Sequence, residues 1–246
     1  MGRYAGPLAD HLIRLAGVAQ GMRVLDVGCG PGALTAGLIA AVGETGRVAA
    51  VEPSEVFAAA CRARLPEADV RLAPAEALPF PDGSFDVVLA QLVVNFMADA
   101  EAGVREMARV VRPGGTVAAC VWDYADGMTL LRAFWDAARE VAPADAATAD
   151  EAVAMPWCRE GDLMALWTAA GLRDVRGARF DVEAGYRDFD DLWSPLPTGV
   201  GPAGAWCAAL DPERRDALKD ALRRRLGVGD APFVLTARAW AVTGTA

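Results

Sequence analysis

Apolar and polar positions along the chain fall into an alternation of short buried runs and longer stripes at helical spacing. Met22, Val24, Leu25 and Val27 form an apolar, partly β-branched run expected of a strand covered on both faces. Leu34, Leu38, Ile39 and Val42 then recur at helical spacing. Arg47 to Glu52 reads as a second strand, with Ser54 capping a helix to about Leu65, and Asp69 to Leu72 as a short third strand. Phe85 to Ala90 is a fourth strand. A helix from about Asp99, striped by Val104, Met107, Ala108 and Val111, is stopped by Arg112-Pro113-Gly114-Gly115, and Thr116 to Val121 is a fifth strand.

Ahead of these lies a helix over roughly Pro7 to Leu15, with Pro7 suited to its first turn. Beyond them the pattern predicts helices at Met128–Val141, Glu160–Ala170 and Pro212–Leu226, and strands near Val175–Val182 and Phe233–Val242. Crossovers this long pair strands in parallel, so the fold class is α/β with a mostly parallel sheet and helices on both faces. Glu183 to Gly229, between the sixth and seventh strands, is too long for a turn and is expected to form a lid.

Candidate chemistry concentrates where the first strand breaks into Gly28-Cys29-Gly30-Pro31-Gly32 before the first long helix. Glycines there permit a tight turn and close backbone approach to a ligand, and the helix start supplies unpaired N–H groups. The spacing Gly28-x-Gly30-x-x-Ala33 satisfies a dinucleotide fingerprint. Asp26, just ahead of the turn, would repel a pyrophosphate but suit a cationic amino-acid head group. Glu52, at the end of the second strand, can accept both hydroxyls of a ribose lying over the glycine loop. Strand ends at Asp26, Glu52, Gln91 and Trp122 are expected to ring one crevice.

With the run Ala73-Pro74-Ala75-Glu76-Ala77-Leu78-Pro79-Phe80-Pro81-Asp82-Gly83-Ser84-Phe85 and the Arg-Pro-Gly-Gly turn, the glycine loop resembles class I S-adenosylmethionine-dependent methyltransferases. The likeness is to the small-molecule group related to the ubiquinone-biosynthesis C-methyltransferase, and it is strong over residues 22 to 122. It implies a Rossmann-like seven-stranded sheet in a single domain over residues 1–246. Within it lie an arm and helix at 1–20, a cofactor-binding core at 21–122, and a substrate-side half at 123–246 with the lid at about 183–229.

S-adenosyl-L-methionine is the implied cofactor and S-adenosyl-L-homocysteine the product. Asp26, Gly28, Gly30, Glu52, Pro53, Ala75, Glu76 and Gln91 are the implied cofactor contacts. Pro74 departs from the pattern, since relatives often carry an acid there, and adenine recognition should lean on backbone or stacking instead. All seven tryptophans fall from Trp122 onward. Trp135, Trp167 and Trp240 are expected in the core, whereas Tyr4, Trp122, Tyr124, Trp193 and Trp206 are candidates for the pocket of a small apolar or aromatic acceptor. His11, Asp123, Tyr124 and Asp190 are the reachable bases.

Composition narrows the rest. A net charge of -9 speaks against a nucleic-acid partner, and Arg223-Arg224-Arg225 with Arg214, Arg215 and Lys219 reads as a solvated helix face. Five scattered cysteines without metal-ligand spacing look like free thiols in a reducing cytoplasm, with no leader at the N-terminus and no metal site. Leu192 to Leu210 carries no charge, but its prolines and glycines make it a loop-rich segment, not a membrane anchor. Monomer and homodimer both remain compatible. A nicotinamide-dependent oxidoreductase on the same loop, a non-catalytic interaction protein on the same fold, and a sulfonium-dependent cyclisation are the rival functions.

Overall fold

A computed structural model describes residues 2–246. Five strands build the half of the sheet that carries the glycine loop: β1 (Arg23–Val27), β2 (Arg47–Glu52), β3 (Asp69–Leu72), β4 (Phe85–Gln91) and β5 (Val111–Trp122). With β6 (Arg173–Tyr186) and β7 (Phe233–Thr245) they make a seven-stranded mixed sheet in the order β3-β2-β1-β4-β5-β7-β6. The pairs β1–β2, β1–β4, β2–β3 and β4–β5 are all parallel. Strand order reverses at β1, with β2 on one side and β4 on the other, which is where open parallel sheets bind ligands.

Side chains of a strand point alternately to opposite faces, so residue parity sorts the core. Leu25 and Val27 of β1, Ala49 and Val51 of β2, and Val88 and Ala90 of β4 share one apolar cluster with α4 (Ala100–Val110) and α8 (Glu160–Ala169). Ala50 faces the other way, into a cluster with Ala58 and Cys61 of α3 (Glu55–Arg64). On that side α1 (Gly2–Leu15) packs against α2 (Ala33–Val42). Helices therefore cover both faces, as the uninterrupted apolar runs of the strands demand.

The described chain divides into two compact units, one of residues 2–121, 157–180 and 239–246, the other of residues 122–156 and 181–238. In the second, α5 (Thr129–Val141) packs along α11 (Pro212–Leu226). Its buried ionic centre joins Asp150 to Arg132 and Arg139, while Glu151 accepts from the indole of Trp135 and from the Ala203 amide. Asp150 lies between the short helices α6 (Pro143–Ala149) and α7 (Glu151–Ala154) and caps the second, Glu151 opens α7, and α9 (Phe189–Trp193) and α10 (Gly201–Ala209) lie in the segment between β6 and β7. No helix among the described residues is long and apolar enough to cross a membrane.

Two elements depart from their sequence patterns. The first helix starts at Gly2, so Pro7 lies inside it and not in its first turn; the helix is held by burial of Tyr4, Leu8 and Leu12. Pairing in β5 begins at Val111, opposite Phe85, and resumes at Thr116 after an irregularity, so Arg112 to Gly115 belongs to the strand and not to a separate turn. Arg112 donates from Nε to Asp86 across the same strand pair, at 2.7 Å, which fixes the local path.

The loop between β3 and β4 is pinned from α4. Arg109 donates to the carbonyls of Phe80 and Leu78 and to the carboxylates of Asp82 and Glu106, and Glu106 accepts from the Leu78 amide at 2.9 Å. These bonds hold Glu106 below its usual carboxylate range, chiefly through the Arg109 guanidinium. Arg109→Met would leave two loop carbonyls and two carboxylates short of a donor, at about 1–3 kcal/mol for each partner left buried. Thermal melts of Arg109→Met should fall by several degrees; an unchanged midpoint would show that the loop is held by packing alone.

Candidate active site

The glycine loop is shaped by what lies beneath it. Gly28 adopts φ +73°, and a Cβ there would sit 2.5 Å from a methyl of Val93, so only glycine serves. Its amide and that of Cys29 both donate to the Val51 carbonyl, at 2.8 and 3.0 Å, binding the loop to the end of β2. Gly30, at φ +53°, differs: a Cβ there would meet no atom within 4 Å, because the space beside it is open.

That space is a cavity of about 510 Å³, within the range of small-molecule sites. Gly28, Gly30, Glu52 and Pro53 form one end. The loop after β3 contributes Pro74, Ala75 and Glu76, α3 contributes Phe57, and the segment after β4 contributes Leu92, Val93 and residues 96–98.

Glu52 closes β2 and is buried to 7% exposure. Its Oε2 accepts from the Gly30 amide at 2.9 Å and its Oε1 from the Ser54 amide at 3.0 Å. Ser54 occupies the N-cap position of α3 without a side-chain cap, so its backbone orients the acid instead. Each carboxylate oxygen has a second lone pair, and these remain for a ligand in the cavity.

Asp26 is placed elsewhere. It is the penultimate residue of β1, so its side chain turns to the α2 face, where it is 1% exposed and accepts from the Thr35 hydroxyl at 2.6 Å. Its other oxygen has no partner among the described residues. Burial pushes its pKa up to about 7 against the Thr35 hydrogen bond, and burial also raises the Cys29 thiol. Gln91 closes β4, but its amide donates to the Ala5 carbonyl of α1 at 3.0 Å and its Oε1 is buried without a partner among the described residues. Of the eight expected cofactor contacts, Gly28, Gly30, Glu52, Pro53, Ala75 and Glu76 line this cavity; Asp26 and Gln91 do not.

The acceptor candidates are each packed within their own surroundings. Tyr4 is fully buried in the first unit. In the second, Trp122, Tyr124 and Trp193 are buried, Trp193 stacks with Phe189, and half-buried Trp206 meets Phe134 and Trp135 edge-on. Trp135 and Trp167 are fully buried and Trp240 is half-buried. Among the candidate bases, His11 pairs with Arg14 and stacks on Phe180. Asp123 is buried, accepts from the Asp126 amide and lies 3.6 Å from Arg238. Asp190 is held below its ordinary range by Lys219, 2.8 Å away.

The basic residues of α11 are spoken for: Arg224 and Arg225 pair with Glu140, Arg223 with Asp230 and Lys219 with Asp190, while Arg215 donates to the carbonyls that end α10. The five cysteines are free and buried.

Sequence reasoning missed Phe57, Leu92, Val93, Phe96 and Met97. Phe57 carries a legible signal, as the one aromatic of a short helix, five residues past Glu52. Leu92 carries none, since its φ of +62° is invisible in a leucine.

Known proteins share the sequence and the fold of this chain. The "Methyltransferase domain" family profile matches residues 25–119. An uncharacterized protein of Mycobacterium tuberculosis is 30% identical over 191 residues, covering 74% of this chain and 68% of that one. The ubiquinone/menaquinone biosynthesis C-methyltransferase of a Shewanella species is 35% identical over 111 residues, 43% of this chain and 44% of its own length. Among solved structures, the YcgJ protein of Bacillus subtilis superposes with a TM-score of 0.61 at 18% identity, covering 96% of this chain and 97% of that one.

Fold and site thus define a Rossmann-like nucleoside-binding enzyme. The chain belongs to the class I S-adenosylmethionine-dependent methyltransferases, and S-adenosylmethionine is its cofactor. The residues present fit that group: Gly30 leaves a cradle that any Cβ would enter, and Glu52 faces it with unspent lone pairs.

Because the folded chain keeps a proton on Asp26 that the unfolded chain releases near pH 3.8, ionisation of Asp26 opposes folding between about pH 4 and pH 7. Asp26→Asn should therefore gain stability relative to the wild type as pH rises through that window, with the gap level above pH 7. Parallel stability curves would show that Asp26 ionises normally.

Proposed function

We propose that this methyltransferase acts on a small apolar or aromatic acceptor by in-line displacement, with its cofactor held in the cavity between the glycine loop and the segments after β3 and β4. The observation that carries the proposal is the Glu52 carboxylate, fixed by the Gly30 and Ser54 amides at the wall of that cavity. When bound, S-adenosylmethionine supplies a methyl carbon on a sulfonium, whose departure as a neutral thioether needs no proton.

The chain's own part is then positional. Glu52 takes the two ribose hydroxyls on its free lone pairs, and Pro53 and Ala75 flank the nucleoside. Backbone at Gly28 and Gly30 lies against the amino-acid tail, where a side chain would collide. Asp26 acts from behind the loop, by its hold on Thr35 at the start of α2, and Gln91 acts by tying α1 to the end of β4. Of the aromatic residues expected at an acceptor pocket, half-buried Trp206 is the one that keeps apolar surface to offer, whereas Trp122, Tyr124 and Trp193 are buried.

Calorimetry should show S-adenosylhomocysteine binding in the micromolar range with no heat from NADH; the opposite pair of results would favour a dinucleotide enzyme. Glu52→Ala should weaken that binding at least tenfold, about 1.4 kcal/mol, and unchanged affinity would place the ribose elsewhere.

A further inference from the structure

The seven-stranded sheet has two edges. β3 closes one of them with four residues, and there Arg71 pairs with Asp69 of its own strand at 2.7 Å. β6 closes the other with 14 residues, among which are neither the proline nor the lysine that commonly blunt an edge. No strand lies beside its outer side among the described residues. A long edge of this kind is a template for a further strand, because its outward N–H and C=O groups face whatever comes alongside.

The side chains of β6 say which strand fits. Phe180, Val182, Ala184 and Tyr186 are buried, while Arg179, Asp181, Glu183 and Gly185 on the other face are exposed. Phe180 stacks on His11 of α1, which marks its face as the inner one. Residues directly opposite in an antiparallel pair share a face, so this strand can meet its own copy only about a two-fold axis that passes through a residue. An axis at Phe180 sets Arg179 opposite Asp181 of the second copy and Asp181 opposite its Arg179, with Ala178 against Val182 and Gly177 against Glu183. An axis one residue away sets Arg179 on Arg179 or Asp181 on Asp181, and like charges directly opposite are destabilising. The register at Phe180 keeps Val175 to Gly185 paired, nearly the whole strand.

We propose that β6 is the surface through which two copies of this chain associate, antiparallel about a two-fold axis at Phe180, so that one sheet runs through both. Backbone hydrogen bonds supply the affinity, and the two Arg179–Asp181 pairs across the axis select the register. Asp181 is positioned for this by its own neighbour: it accepts from Arg238 of β7 at 3.1 Å while half of its side-chain surface stays exposed. The occupant is a second copy because the alternating charges of β6 complement the same charges read in the opposite direction.

The test is sedimentation equilibrium of the full chain over micromolar concentrations. The wild type should show the mass of two chains, twice 25.8 kDa. Arg179→Asp should raise the dissociation constant about tenfold, because it sets an acid opposite Asp181 at two places, and Asp181→Arg should do the same with two pairs of cations. An equimolar mixture of the two variants should recover the association, since each then faces the opposite charge. Circular dichroism should match the wild type, as both positions are exposed. A wild type that stays at the mass of one chain, a dimer that neither substitution weakens, or variants that associate no better together than apart would each overturn the inference, and none of these results bears on where the cofactor lies.

Discussion

A single carboxylate joins the parts of this site. Glu52 accepts from an amide of the glycine loop after β1 and from an amide at the start of α3, so two segments that approach the cavity from different strands are held in register by one side chain. Hydrogen bonds to an ionised acceptor are the stronger kind, and here the acceptor is also nearly removed from water. The site is consequently built before any ligand arrives: loop backbone, acid and cavity wall already have their relative positions. Enzymes whose work is mainly alignment gain most from such preorganisation.

Beneath the loop the chemistry is different. Asp26 sits on the opposite face of β1, buried with Thr35 and near Glu52 and two thiols, with no cation beside it. A buried carboxyl of that kind is costly when charged, so burial pushes its pKa up to about 7 and its part is to hold Thr35 at the start of α2. Gln91 is similarly indirect. It spends its amide on α1, so the N-terminal helix is bonded to the strand end beside the cavity.

Much of this was legible in the residues. The bounds of β2, β3 and α11 follow from apolar spacing and caps, because apolar runs and amphipathic stripes are what a doubly covered parallel sheet requires. Glu52 was legible from its place at a strand end after a glycine loop. The direction of Asp26 was not, because one residue of extension in β1, to Val27, turns its side chain to the other face. Phe96 and Leu92 were hidden for another reason: a left-handed leucine and a single helical turn leave no periodic signature, so the wall after β4 emerges only from the fold. The short helices α6 and α7 were likewise hidden, since Asp150 between them and Glu151 at the start of α7 are held by partners distant in sequence.

The central claim is one of place, that the nucleoside of the cofactor lies against Glu52 with its tail over Gly28 and Gly30. A crystal structure of the chain soaked with S-adenosylhomocysteine tests it most directly. The account predicts both ribose hydroxyls within hydrogen-bond distance of the Glu52 carboxylate and the homocysteine moiety against the glycine backbone. A ligand bound away from Glu52, or a cavity closed over by the side chains after β4, would contradict it.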